Sequence, residues 1–285
     1  MTPIEVSQFG RGSKPPTRAA SIPEKTTRPW KLPPQKTYVL KNCNVIDPVD
    51  GVVHPNMEWG RLAEKACVRP GLGDCHIHPN PVPGDVDLAG AIPPSRAVSF
   101  MRQPLVCVQT LGRGFTTVRE RGGATLALKE AIEDDVFPGP RLFIANFALS
   151  QTGRHGDVRS PHDRWGAGGM CCGGEQASGF SVVCDGVPEC TRAAREQLRT
   201  GTDFLKIMGG GGVASPAAAS RTRAYTPRAI RHAVDNSVAG IEHGNLLDED
   251  TAGYMAERGI WLTPTLVAYD AMASAKYADF LPLEN

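Results

Sequence analysis

At 285 residues the chain is long enough for one barrel of about 250 residues with a small appendage, or for two ordinary domains. Its 41% hydrophobic and 21% charged residues and its net charge of +1 make an ordinary globular balance, arguing against a nucleic-acid partner or an anionic membrane surface. No apolar run approaches the ~20 residues that a membrane-spanning helix needs, so no membrane partner is expected.

Residues 1–36 are rich in Pro, Arg, Ser and Thr and lack the apolar stretch of a secretory signal, so they read as a disordered tail, with a weakly amphipathic transit peptide as the alternative. The eight cysteines contain no Cys-x2-Cys pair, and without a signal peptide they are expected as free thiols in a reducing, cytoplasmic setting. Residues 38–47 form a strand that ends in the turn Pro48-Val49-Asp50-Gly51, with Val52-Val53 returning as a hairpin. Residues 68–78 read as a short apolar strand ending in His76-Ile77-His78. Side chains alternate along a strand, so the two imidazoles share one face, close enough to hold a single ion. Pro70-Gly71 before this strand and Pro79-Asn80-Pro81 after it mark where it starts and stops.

Helices are expected over 95–111 and 126–133, and strands over 114–119 and 140–145. Residues 151–185 are glycine-rich and aperiodic, and a loop of that length inside a domain commonly lies over a functional site. A helix follows over 187–200, then a strand over 201–208 that runs into Gly209-Gly210-Gly211-Gly212. Thr226-Pro227 places a cap and a first-turn proline at the start of a helix reaching Asn236. Residues 240–244 end a short strand, 248–258 form a helix and 260–266 a further strand. Strands alternating with helices make this a parallel α/β architecture.

Lys206 stands in the middle of an apolar strand, where a lysine is costly unless it snorkels out, pairs with a carboxylate or is modified. His54, His162 and His232 sit in no comparable context and read as structural. The four glycines are not a phosphate cradle, since no Gly-Lys-Ser/Thr follows.

Pro70-Gly71-Leu72-Gly73-Asp74-Cys75-His76-Ile77-His78 resembles the first-strand motif of the amidohydrolase superfamily, metal hydrolases built on a (β/α)8 barrel. Gly201-Thr202-Asp203-Phe204-Leu205-Lys206-Ile207-Met208 resembles its fourth strand, in which a carbamylated lysine bridges two metals. Ile241-Glu242-His243-Gly244 resembles its sixth-strand motif, and Gln151-Thr152-Gly153-Arg154-His155-Gly156-Asp157 the loop after the third strand. The resemblance, nearest to imidazolonepropionase-, prolidase- and ochratoxinase-like enzymes, covers residues 38–266. It implies an α/β fold, an incomplete (β/α)8 TIM-type barrel over 67–285, preceded over 37–66 by a vestigial N-terminal β-sandwich element. It implies a divalent metal cofactor, zinc for preference, as one or two ions. His76 and His78 would hold the first ion, a carbamylated Lys206 would bridge, His243 would hold the second, and His155 would face the substrate. It also implies hydrolysis of a small amide or dipeptide-like C–N bond by metal-activated water; the sequence leaves room for a homo-oligomer.

Two departures from the family pattern bear on activity. Between Lys206 and His243 the family has two βα units, one with another metal histidine; a βαβ unit takes ~30 residues, and the interval has room for about one. Residues 217–223 stand in its place, and Arg223 where the strand-five histidine is expected. The chain also ends at Asn285, after the seventh strand, so the strand-eight aspartate is not expected. Glu120 and Asp157 are the carboxylates that could take over its role. The alternative is a catalytically inactive remnant, or a binding protein that keeps the fold. Either way, His76, His78, Lys206 and His243 are expected to converge at the mouth of the strands.

Overall fold

The computed structural model describes residues 32, 43–57, 67–80, 96–157, 181–209, 226–245 and 247–274. The hairpin is formed by β1 (Cys43–Asp47) and β2 (Val52–Met57), antiparallel. Its turn is closed by Asp47, whose Oδ1 accepts the Val49 N–H at 2.9 Å, and by Gly51, whose φ of +67° suits a residue without Cβ. β3 (Cys67–Val68) pairs parallel with β1, giving the order β2-β1-β3. Val68, at the head of the expected histidine strand, is therefore paired through β3 with the small N-terminal sheet, and β4 begins only after the Pro70-Gly71 break.

β4 (Leu72–Ile77), β5 (Phe115–Glu120) and β6 (Arg141–Phe143) form a parallel sheet in that order. Helices α1 (Arg96–Gly112) and α2 (Leu126–Glu133) make the crossovers. Between sheet and helices lies a core of Cys107, Val118, Ala124, Leu128, Leu142 and Ile144.

The loop expected over 151–185 is shorter than the sequence suggests. β7 (Ala148–Ser150) runs up to its start and β8 (Ser181–Val183) lies within its far end, the two pairing in parallel. Three-residue strands carry too little alternation to be visible in sequence. The Lys206 stretch is also corrected: residues 201–208 form a turn and one parallel bridge, Leu149 to Ile207, rather than a continuous strand. The Leu149 N–H donates to the Lys206 carbonyl and the Met208 N–H to the Leu149 carbonyl, both at 2.8 Å. α3 (Gly186–Arg199) packs on this layer through Cys184, Ala193 and Leu149.

α4 (Pro227–Asp235) starts at the expected cap, where the Thr226 hydroxyl accepts the Ala229 N–H at 3.2 Å. β9 (Gly240–Glu242) and β10 (Trp261–Thr263) pair in parallel around α5 (Glu249–Glu257), which is capped by Asp248. Ile230, Val234, Ile241 and Met255 fill the space beneath. The strand expected to reach Leu266 stops at Thr263; Thr265 takes a left-handed conformation, φ +49°, and α6 (Leu266–Ala273) begins there. No helix among the described residues is long and apolar enough to cross a membrane.

Candidate functional site

β4 delivers His76 and His78 to one place, as strand alternation requires. Their Nε2 atoms lie 3.3 Å apart. His243 follows β9 directly, and its backbone turns through a left-handed pair with Gly244, φ +69° and +66°. That conformation is unfavourable for a residue with a Cβ, and it is held here by the His243 N–H donating to the Thr263 carbonyl at 2.8 Å. The result is a His243 ring whose centroid is 4.7 Å from that of His76. On its other side His243 Nδ1 meets the Thr265 hydroxyl at 2.7 Å.

Hydrogen bonds determine which ring nitrogens carry protons. His76 Nδ1 faces Glu242 Oε2 at 2.8 Å. Burial alone would raise the pKa of Glu242, but the hydrogen bond from His76 and the charge of Arg121 hold it below the ordinary carboxylate value. An ionised carboxylate only accepts, so His76 Nδ1 donates. His78 Nδ1 faces the Gly122 carbonyl at 3.2 Å, again an acceptor only. Burial lowers the pKa of both rings, that of His78 to about 3, so both are neutral and each keeps a lone pair on Nε2. Two lone pairs facing at 3.3 Å cannot form a hydrogen bond; they are complementary to a cation. Two nitrogens each ~2.0–2.1 Å from one tetrahedral ion stand about 3.3 Å apart, which is the spacing found.

Lys206 completes the group. Burial lowers its pKa to about 8, partly offset by Glu242 and reinforced by Arg121 and Arg119. Its charge in turn lowers the pKa values of His76, His78, His243 and His155, so all four imidazoles lie within its field. His155 sits in the turn after β7 and is kept neutral first by burial and then by Lys206. The structure thus puts His76, His78 and His243 in contact and brings Lys206 within electrostatic reach of these three and of His155. Among the described residues no three of His, Cys, Asp and Glu are grouped so that they could hold one ion. The expected strand-five position, Arg223, lies outside the described residues, as does His162.

Three residues at the site are not singled out by the sequence: Glu242, Arg119 and Arg121. Arg119 and Arg121 both donate to Glu242 Oε1, Arg119 at 3.2 Å. The signals for them are an acid inside the apolar Ile241-Glu242 strand end and the Arg119-Glu120-Arg121 run closing β5. Alternation sends both arginines toward the histidines and Glu120 to the other face. There Glu120 is fully buried, and its carboxylate accepts N–H bonds from Gly122 and, at 3.2 Å, from Ala145. Asp157 accepts the Gly153 N–H at 2.8 Å in the turn that carries His155. Both side chains therefore accept backbone N–H groups.

Burial raises the pKa of Glu120 from 4.5 to about 8, against the opposing pull of the N–H groups of Gly122, Ala124 and Ala145. Between those pH values the folded chain holds a proton that the unfolded chain has released. The contribution of Glu120 to stability therefore falls as pH rises through this window and is flat above it. Glu120→Gln is expected to flatten that dependence. Denaturant midpoints of parent and variant at the two ends of the window check it, and equal slopes for both would mean that Glu120 is already ionised throughout.

A family model described as "Amidohydrolase family" matches residues 67–239. The chain is similar to ochratoxinase from Aspergillus niger, with 29% identity over 239 residues, covering 69% of this chain and 47% of the relative. It thus spans about half the length of the curated relatives it matches. It is also similar to the crystal structure of a prolidase complexed with N-methylphosphonate-L-proline, at 34% identity and a TM-score of 0.69, covering 87% of this chain and 71% of that one. A crystal structure of an amidohydrolase matches at 34% identity, a TM-score of 0.70 and the same coverage.

Proposed function

The chain belongs to the amidohydrolase family, and on that premise we propose that it is a metal-dependent hydrolase of amide or dipeptide-like C–N bonds. The observation that carries this reading is the half-buried pair His76 and His78, whose Nε2 atoms face each other at 3.3 Å while each Nδ1 is engaged elsewhere, by Glu242 and by the Gly122 carbonyl. His76 and His78 with a carbamylated Lys206 would hold a first ion, and His243 with the same carbamate would hold a second. Zinc suits imidazole and carbamate donors, and a divalent ion there would polarise the scissile carbonyl and activate water. Lys206 is prepared for carbamylation because burial keeps part of the amine neutral near physiological pH. His155, neutral and beside Lys206, would face the substrate.

The similarity to a prolidase bound to a proline phosphonate supports a small dipeptide-like substrate. The succession of parallel strands and helices supports an incomplete (β/α) barrel, with Trp261, Leu266 and Val267 70–83% exposed beside its last described strand. We infer a cytoplasmic setting from the free thiols of Cys43, Cys75, Cys107, Cys184 and Cys190.

The test is metal analysis of the purified chain after equilibration with zinc and bicarbonate, beside hydrolysis assays on Xaa-Pro dipeptides and N-acyl amino acids. At least one ion per chain and chelator-sensitive hydrolysis are expected. A folded chain that takes up no ion, or hydrolysis indifferent to chelators, overturns the reading.

A further inference from the structure

Glu242 lies behind the histidine pair, 7% exposed, and its two oxygens have separate partners. Oε2 accepts the His76 Nδ1–H at 2.8 Å. Oε1 accepts from Arg119 and Arg121. The arginines are themselves fixed. The Nε–H groups of Arg119 and Arg121 donate to the Cys75 carbonyl at 3.1 and 3.3 Å, and Arg119 Nη2 also donates to the Thr263 hydroxyl at 2.9 Å. The Arg121 guanidinium rests over the Phe204 ring, 4.7 Å from its centroid, two residues before Lys206. The clamp therefore draws on β4, β5, the Lys206 segment, β9 and β10 together.

We propose that Glu242, oriented by Arg119 and Arg121, is the positioning residue that sets the tautomer of His76 and so keeps the His76–His78 pair open to a cation. This deepens the hydrolase reading and rests on it for the cation's role. A guanidinium has only donors, so whatever occupies the Oε1 position must accept. In wild type that leaves the second carboxylate oxygen facing His76, and the ring proton stays on Nδ1. In Glu242→Gln the amide oxygen is drawn to the arginines, which turns the NH2 toward His76. An NH2 there donates, so Nδ1 must accept and the ring proton moves to Nε2. Across 3.3 Å that Nε2–H meets the lone pair of His78 Nε2, and a true hydrogen bond closes the pair. A carboxylate-to-amide change of the same shape thus acts through the imidazole proton rather than through packing.

The experiment is ¹⁵N NMR of the histidine rings in the full metal-free chain, with zinc titration of the same samples. Wild type is expected to show His76 with its proton on Nδ1. Glu242→Gln is expected to show it on Nε2 and to bind zinc roughly 10- to 100-fold more weakly. A wild-type His76 protonated on Nε2 overturns the proposal without any variant, so the result does not depend on Glu242→Gln folding. A folded Glu242→Gln that keeps the Nδ1 proton and the wild-type zinc affinity overturns it as well. The tautomer exchange observed in a chain whose wild type takes up no zinc sustains the positioning role and overturns the metal reading instead.

Discussion

Replacing Lys206 with methionine is expected to lower metal-dependent amide hydrolysis by more than about a thousandfold and to reduce the metal content of the chain, because it removes a ligand and its charge. Methionine keeps the length and apolar stem of lysine and removes only the amine. Partial burial disfavours the ammonium and pushes its pKa down to about 8, so the variant should fold with equal or greater resistance to heat. Activity lost without stability lost separates a chemical role from a structural one. Carbamylation adds CO2 to the neutral amine with release of one proton, so bicarbonate should raise zinc uptake in the parent and leave the variant unchanged. Metal content, a thermal melt and the hydrolysis assay read the three effects. A Lys206→Met protein with parental metal content and turnover would remove Lys206 from the site.

The largest expected loss of stability is at Ile144, which is 0% exposed and sits among Val118, Leu128 and Leu142. Its backbone also ties the end of β6 to the Lys206 segment. The Ile144 N–H donates to Asp203 Oδ2 at 2.7 Å, and its carbonyl accepts from the Asp203 N–H at 2.9 Å and the Thr202 hydroxyl at 2.8 Å. Ile144→Ala leaves those bonds in place and empties the space beside them, at a cost of ~2–5 kcal/mol. Domains are stable by only about 5–15 kcal/mol, so the urea midpoint should fall sharply with an unchanged slope. A shift worth less than about 1 kcal/mol would mean that the surrounding side chains collapse into the vacated space.

Several features of this protein were legible in its sequence because they are local. Alternation along one strand suffices to put His76 and His78 on one face, and the Nε2 contact at 3.3 Å follows from it. Thr226-Pro227 and Asp248 begin their helices because capping involves residues only three positions apart. The cost of Lys206 in an apolar stretch is likewise visible in its neighbours. β7 and β8 left no such trace: at three residues each, their pairing is decided by hydrogen bonds between segments more than thirty residues apart. The Lys206 segment reads as a strand from its apolar residues, yet among the described residues its strand pairing is a single bridge, Leu149 to Ile207.

Tertiary structure alone decided the electrostatics of the site. Glu242 meets His76 across 166 positions of sequence and Arg121 across 121, and the local pattern of β9, an acid at the end of an apolar strand, names neither partner. Whether Glu120 or Glu242 would face the histidines depended on which side of its strand each occupied. Charge and burial then acted on groups that only the fold brings together. The state of His76, His78 and Lys206 is a property of that enclosure rather than of the residues themselves.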